Sequence, residues 1–277
     1  MKPFHYTDYG PDDVQRAESA LLTVWAALGD LTEDVVLIGG LVPRYICRPT
    51  QRLAAVTMDV DFGVTLEFSS GQYDTTKTRL LNHGFEWKEK RFVRRIGDSE
   101  LFVDFLAPRK QSNSPTAVMV DDVVASTVPG LDRALSVHRV VSISGHALNG
   151  AAVTEKVNVC EVGPFICLKL QAYAGRAMGK DVFDFVRAVR DYDGGSATAR
   201  DLFHAENNFN PAYATAIRML TERFAGPESK GPVDYAEFCA GTEPPTPGSD
   251  AFFRQQRVND ALDAARFILN TGASLRT

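Results

Sequence analysis

The sequence predicts an α/β (α+β) protein, with a mixed-sheet domain over residues 1–162 and an α-helical domain over residues 163–277, on three observations. Short runs rich in β-branched and aromatic residues crowd the first part: VVLI, VTMDVDFGV, FEWKEKRFVRRI and ELFVDFLAP, then a strand-rich stretch over 115–162. Helical spacing takes over after Gly163-Pro164, where proline suits the start of a helix. A chain of 277 residues, 44% hydrophobic and 23% charged, is long enough to bury its apolar surface without staples.

Residues 11–29 read as a first helix. Pro11 and Asp12 suit its start, and Ala17, Ala20, Leu21, Val24 and Leu28 recur along one face. Val35, Val36, Leu37 and Ile38 make a continuous apolar run closed by Gly39 and Gly40, the pattern of a buried strand and a tight turn. LVPRYI then opens a short helix. Within 56–64 the alternation is strict: Val56, Met58, Val60 and Phe62 on one face, Thr57, Asp59 and Asp61 on the other.

A helix over 74–83 ends before Gly84. FEWKEKRFVRRI reads as one strand-like run and ELFVDFLAP as the next, with Leu101, Val103 and Phe105 opposite Phe102, Asp104 and Leu106. ALSVHRVVSISG and AAVTEKVNVCEV form strands joined at the HALNG turn. Later helices are expected at 164–179, 180–192, 211–224 and 254–269, and the Pro-, Gly- and Ser-rich stretch 225–250 as a long loop. Trp25 and Trp87 are expected in the core, and Arg187 and Arg190 on an exposed helix face.

The formal net charge of −5 argues against a broadly basic nucleic-acid coat. Cys47, Cys160, Cys167 and Cys239 have neither CxxC spacing nor histidines at zinc-like spacing, which predicts free buried thiols. No run approaches the roughly 18 apolar residues of a membrane span, and the polar, acidic start has no signal-peptide pattern. A cytoplasmic protein without a membrane partner is expected.

Three features of the first domain bear on chemistry. Gly39-Gly40 after a strand allows a backbone to approach a phosphate closely, although plain turn chemistry gives the same pair. Asp59 and Asp61, two apart on one strand, point the same way about 7 Å apart, a costly pairing without a cation. Mg²⁺ or Mn²⁺ relieves that repulsion with hard oxygen ligands. Asp104 sits inside a hydrophobic run, where an unpaired carboxylate is expensive. It serves either as a further metal ligand or general base beside Asp59 and Asp61, or as a structural partner of Arg94 or Arg95. In the helical part, Lys169, Arg176 and Lys180 fall within about 20° of one line if the helix is continuous.

The order strand, Gly-Gly, short helix, Asp59-Val60-Asp61, then Asp104 on a later strand resembles the polymerase-beta-type nucleotidyltransferase superfamily. PFICLKLQAYAGRAMGKDVFDF resembles the element K-x-x-A…R…K-D-x-x-D of the AbiEii-type nucleotidyltransferase toxins, including the MenT group, with Lys169, Ala172, Arg176, Lys180, Asp181 and Asp184 in order. The resemblance covers about Val35 to Val189. Ala55 stands where that family often has an arginine before the DxD motif, and Arg52 is the nearest substitute.

The resemblance implies a nucleotidyltransferase-fold domain and a helical domain that closes a nucleotide cleft. It implies transfer of a nucleoside monophosphate from an NTP to a tRNA or protein hydroxyl, as the toxin of a type IV toxin–antitoxin pair with an antitoxin partner. Asp59, Asp61 and Asp104 are the expected metal ligands, and Lys169 with Asp184 the further catalytic residues. Gly39, Gly40, Arg44, Thr57, Arg176, Lys180 and Asp181 are the expected nucleotide-binding residues, with the choice between Asp181 and Asp184 open. The other reading is a nucleotide- or partner-binding module on the same fold without turnover.

Overall fold

A computed structural model describes residues 4–49, 53–66, 75–97, 99–110, 114–242 and 250–269. It is a mixed α/β structure, and its chain separates into two compact units. One comprises Pro11–Tyr45 and Ala55–Glu161; the other comprises Met1–Gly10, Ile46–Ala54 and Val162–Thr277.

The first unit holds a sheet with nine strands among the described residues. In chain order its elements are α1 (Asp13–Leu28), β1 (Val35–Ile38), α2 (Pro43–Ile46), β2 (Asp59–Val64), α3 (Thr76–Asn82), β3 (Glu86–Lys88), β4 (Arg91–Ile96), β5 (Ser99–Pro108), β6 (Ala117–Val120), β7 (Val123–Val128), α4 (Leu131–Ser136), β8 (His138–His146) and β9 (Ala152–Cys160). The strand order is β3-β4-β5-β2-β1-β9-β8, with β7 added to β5 and β6 to β7. β2 is central: it runs antiparallel to β1 and parallel to β5.

The period-two pattern explains which face is buried. Val60, Phe62, Val103 and Phe105 are at most 4% exposed. The Phe62 ring stacks on Phe105 at 5.7 Å and meets Trp25 of α1 at 6.1 Å, so α1 covers this face. The alternate residues Asp59, Asp61, Phe102 and Asp104 are partly exposed on the other face.

Several elements differ from the sequence reading. FEWKEKRFVRRI is a hairpin, β3 and β4, turning at Glu89 and Lys90 with φ of 49° and 69°. Two consecutive left-handed residues make a tight strand-compatible turn, but neither is glycine or asparagine, so the usual signal is missing. α4 falls inside a stretch read as strand. The strand expected from residue 56 begins at Asp59, where the Thr57 hydroxyl accepts from the Asp59 N–H and donates to its carbonyl. The start of the helix expected over 74–83 lies outside the described residues. From Thr76, α3 is closed by the Thr75 side chain, and the Asp121 and Asp122 carboxylates accept its first N–H groups.

The second unit contains α5 (Val162–Arg176), α6 (Gly179–Asp191), α7 (Ser196–Ala205), α8 (Tyr213–Arg223), α9 (Lys230–Phe238) and α10 (Asp250–Leu269). α7 was not expected, and α9 lies inside the stretch read as a loop. Gly231 and Pro232 sit in the first turn of α9, where proline's missing N–H costs nothing, so a helix start resembled loop composition. The remainder of that stretch, 243–249, lies outside the described residues. Phe165, Phe185, Phe203 and Phe238 are fully buried and anchor the core of this unit.

Residues 4–10, 46–49, 53 and 54 join this unit although they come early in the chain. Tyr6 packs on Phe183 and Phe238, Cys47 bridges to Tyr192, and the Arg48 N–H donates to the Asp191 carbonyl at 2.8 Å. Arg187 and Arg190 are not on an exposed face. Arg187 is 9% exposed and donates to the Leu53 carbonyl, and Arg190 pairs with Asp260 at 2.8 Å. The four cysteines are buried and form no disulfide with one another. Among the described residues, no helix is long and apolar enough to cross a membrane.

Candidate active site

Strand register brings the three acids of the first unit together. Asp61 is paired with Ile38 of β1 on one side and with Asp104 of β5 on the other. Side chains in register on neighbouring parallel strands stand about 5 Å apart. Asp59, two residues earlier on β2, projects from the same face.

Gly39 follows Ile38 directly and has φ of +77°. A Cβ there would overlap the Asp61 carboxylate, so glycine is required both by the backbone and by the space. This close approach is what the Gly-Gly signal encodes at Gly39. Gly40 is buried in the following turn.

A cation already stands among the acids. The Arg91 guanidinium forks onto Asp104, with Nε donating to Oδ1 at 3.0 Å and Nη2 to Oδ2 at 2.7 Å, and Nη2 also reaches Asp59 Oδ1 at 3.5 Å. Its Cζ lies over the Phe102 ring, 4.1 Å from the centroid. The expected basic partners were Arg94 or Arg95. Arg94 faces the other side of the sheet, beside Phe92, and donates to the His83 carbonyl. Arg95 shares the Asp104 face but pairs with Glu100 at 3.3 Å. Arg91 was missed because the turn at Glu89-Lys90 was missed: only with that turn does Arg91 begin β4 and fall across from Asp104.

Three carboxylates on one face form a hard-oxygen donor set of the type that takes Mg²⁺ or Mn²⁺. Among the described residues, however, no three His, Cys, Asp or Glu side chains are drawn together as ligands. Arg91 instead engages both oxygens of Asp104.

Two expected nucleotide-binding residues, Arg44 and Thr57, have hydrogen-bond partners within the first unit. Arg44 makes a two-pronged contact with Glu18 of α1 at 3.0 and 2.9 Å, and Tyr45 donates to the same carboxylate at 2.8 Å. Thr57 is buried, with its hydroxyl bonded to the Asp59 backbone. Arg52 lies outside the described residues.

The helical unit gathers its five expected residues into one ionic network. The straight cationic stripe does not form, because α5 ends at Arg176, Ala177 takes φ of 49°, and α6 begins at Gly179. Lys169, 5% exposed, lies 2.6 Å from Asp184 and 3.8 Å from Asp181. Lys180 reaches Asp184 at 2.9 Å, and Arg176 forks onto Asp181 at 2.6 and 2.7 Å. Asp181 and Asp184 are fully buried. Burial works to raise the Asp181 pKa, but the Arg176 hydrogen bonds and the Lys169 charge hold it below the usual carboxylate range. Asp184 Oδ1 has no hydrogen-bond partner among the described residues.

No protein-family model matches the chain, and comparison with curated proteins and with solved structures finds no match.

Proposed function

We propose that this protein is a metal-dependent nucleotidyltransferase that moves a nucleoside monophosphate from an NTP to an acceptor hydroxyl. The observation that carries the reading is the register of Asp61 against Asp104, with Asp59 on the same face and Gly39 against the Asp61 carboxylate. Asp59, Asp61 and Asp104 are the residues to hold Mg²⁺. Bound there, the ion supplies Lewis-acid stabilisation for attack on a phosphoryl group and departure of pyrophosphate.

The chain's own residues give the site its direction. Gly39 leaves the Asp61 carboxylate the space that a side chain would otherwise fill. On this reading Asp104, facing Asp61 from the next strand, acts as a further ligand or accepts the proton of the attacking hydroxyl. Lys169 and Arg176, engaged with Asp184 and Asp181 inside the helical unit, take a structural part that locks α5 to α6.

The resemblance to nucleotidyltransferase toxins makes tRNA or a protein hydroxyl the acceptor and a neutralising antitoxin the partner. Incubating the protein with each α-labelled NTP, Mg²⁺ and either total RNA or a cell extract tests this. Label should enter one fraction with wild type and fall by at least about a hundredfold with Asp61→Asn, as expected for loss of a metal ligand. The second reading, a binding module without turnover, draws on the Arg91 contact with Asp104. It predicts NTP binding with no transferred label in either fraction.

A further inference from the structure

The geometry points to Arg91 as a built-in counter-ion that holds the acid cluster in the metal-free protein and moves onto the nucleotide's phosphates when a divalent cation enters. The inference rests on the proposed nucleotidyltransferase reading. It concerns a residue that neither the DxD pattern nor the Gly-Gly turn contains.

Three charges on one sheet face need compensation before any metal arrives. Arg91 supplies one positive charge, shared between Asp104 and Asp59. Its fork takes one lone-pair site on each Asp104 oxygen, so a metal at Asp104 competes with the guanidinium for the same carboxylate charge. A guanidinium and a dication repel within a few ångströms, and that repulsion is weakly screened at a partly buried site. Metal entry and the fork therefore oppose each other.

The local structure allows Arg91 to leave. Its side chain is 21% exposed, so it has a route to solvent. It starts β4 directly after the Glu89-Lys90 turn, where the ladder ends. The Phe102 ring beneath it offers a flat apolar surface on which the guanidinium can slide without losing its cation–π contact. Displaced from the carboxylates, a forked guanidinium beside a metal–triphosphate complex finds phosphate oxygens of matching geometry. Arg91 is thus a positioning residue that exchanges a carboxylate partner for a phosphate one.

The test measures Mn²⁺ binding by the free-ion paramagnetic resonance signal, on the full chain, for wild type, Arg91→Gln, Arg91→Lys and Asp61→Asn. It then measures binding of non-hydrolysable ATP, GTP, CTP and UTP analogues at saturating Mn²⁺. Arg91→Gln should tighten Mn²⁺ by on the order of tenfold and weaken the preferred triphosphate by a similar factor. Arg91→Lys should fall between, because it keeps the charge and loses the fork. A merely structural arginine would not move the two affinities in opposite directions.

If wild type binds Mn²⁺, Asp61→Asn loses it and Arg91→Gln binds it no tighter, the inference falls and the reading of the site stands. If neither wild type nor Arg91→Gln binds Mn²⁺, both fall. Should Arg91→Gln fail to fold, arginine Nε–H resonances of the ¹⁵N-labelled wild type decide instead. The forked Arg91 signal should shift on adding Mg²⁺, and an unmoved signal under saturating Mg²⁺ overturns the inference.

Discussion

Gly39 carries the closest approach in the site, since the Asp61 carboxylate occupies the space of its missing side chain. Gly39→Ala should cost about 1–3 kcal/mol, from a left-handed backbone and from the overlap together. It should also weaken metal binding, because the carboxylate must turn away. Thermal melts with and without Mn²⁺ measure both effects.

At Asp104, like-charge repulsion alone predicts that Asp104→Asn stabilises the metal-free protein. The Arg91 fork reverses that expectation. Losing a partly exposed two-pronged pair should destabilise by up to about 1 kcal/mol, read by urea unfolding in chelator. In the helical unit, Asp184→Asn leaves Lys169 buried with only Asp181, 3.8 Å away. The expected loss is about 3–5 kcal/mol, characteristic of removing one partner from a buried ion pair.

Asp181 adds a pH dependence. Its folded pKa is depressed, so its contribution is complete above the ordinary carboxylate range and is lost as pH falls through the depressed value. Arg176→Gln removes a hydrogen-bonding partner that lowers it, so the acid limb of the stability curve should move to higher pH. Unfolding curves between about pH 2 and 6 check this.

At the scale of elements, the clearest prediction lies between α5 and α6. Ala177 holds φ of 49° just past the last residue of α5, where glycine is the natural occupant. Ala177→Gly should stabilise the protein by about 0.5–1 kcal/mol by relieving that conformation, against glycine's larger entropy loss on folding. Chemical denaturation with an unchanged slope supports this account; destabilisation contradicts it.

The same scale shows what was legible in the sequence. Period-two alternation separated Phe62 from Asp59 and Asp61, and Phe105 from Asp104, because pleating decides sides within a strand; the β2–β5 register then brings the three acids to one face. Alternation cannot name neighbours, however. Arg94 and Arg95 were plausible partners for Asp104 until the Glu89-Lys90 turn reset the register and put Arg91 opposite it. Helical periodicity likewise aligned Lys169, Arg176 and Lys180, and one left-handed residue at Ala177 undid the alignment. α9 was hidden by Gly231-Pro232, which signal a helix start as readily as a loop.

At the scale of the whole molecule, an acidic chain with net charge −5 is expected to rely on a bound cation, rather than a basic surface, to engage a triphosphate. Binding to the folded state alone should therefore stabilise it. At Mg²⁺ a hundred times its dissociation constant the gain is about 2.7 kcal/mol. The melting temperature should rise with Mg²⁺ for wild type and stay flat for Asp61→Asn.

The most direct measurement is a crystal structure of the protein with Mg²⁺ and a non-hydrolysable NTP. The account predicts metal density bounded by Asp59, Asp61 and Asp104, the triphosphate beside Gly39, and Arg91 turned from Asp104 to a phosphate oxygen. A nucleotide bound elsewhere, with Arg91 still forked onto Asp104 and no metal at the three carboxylates, would contradict it.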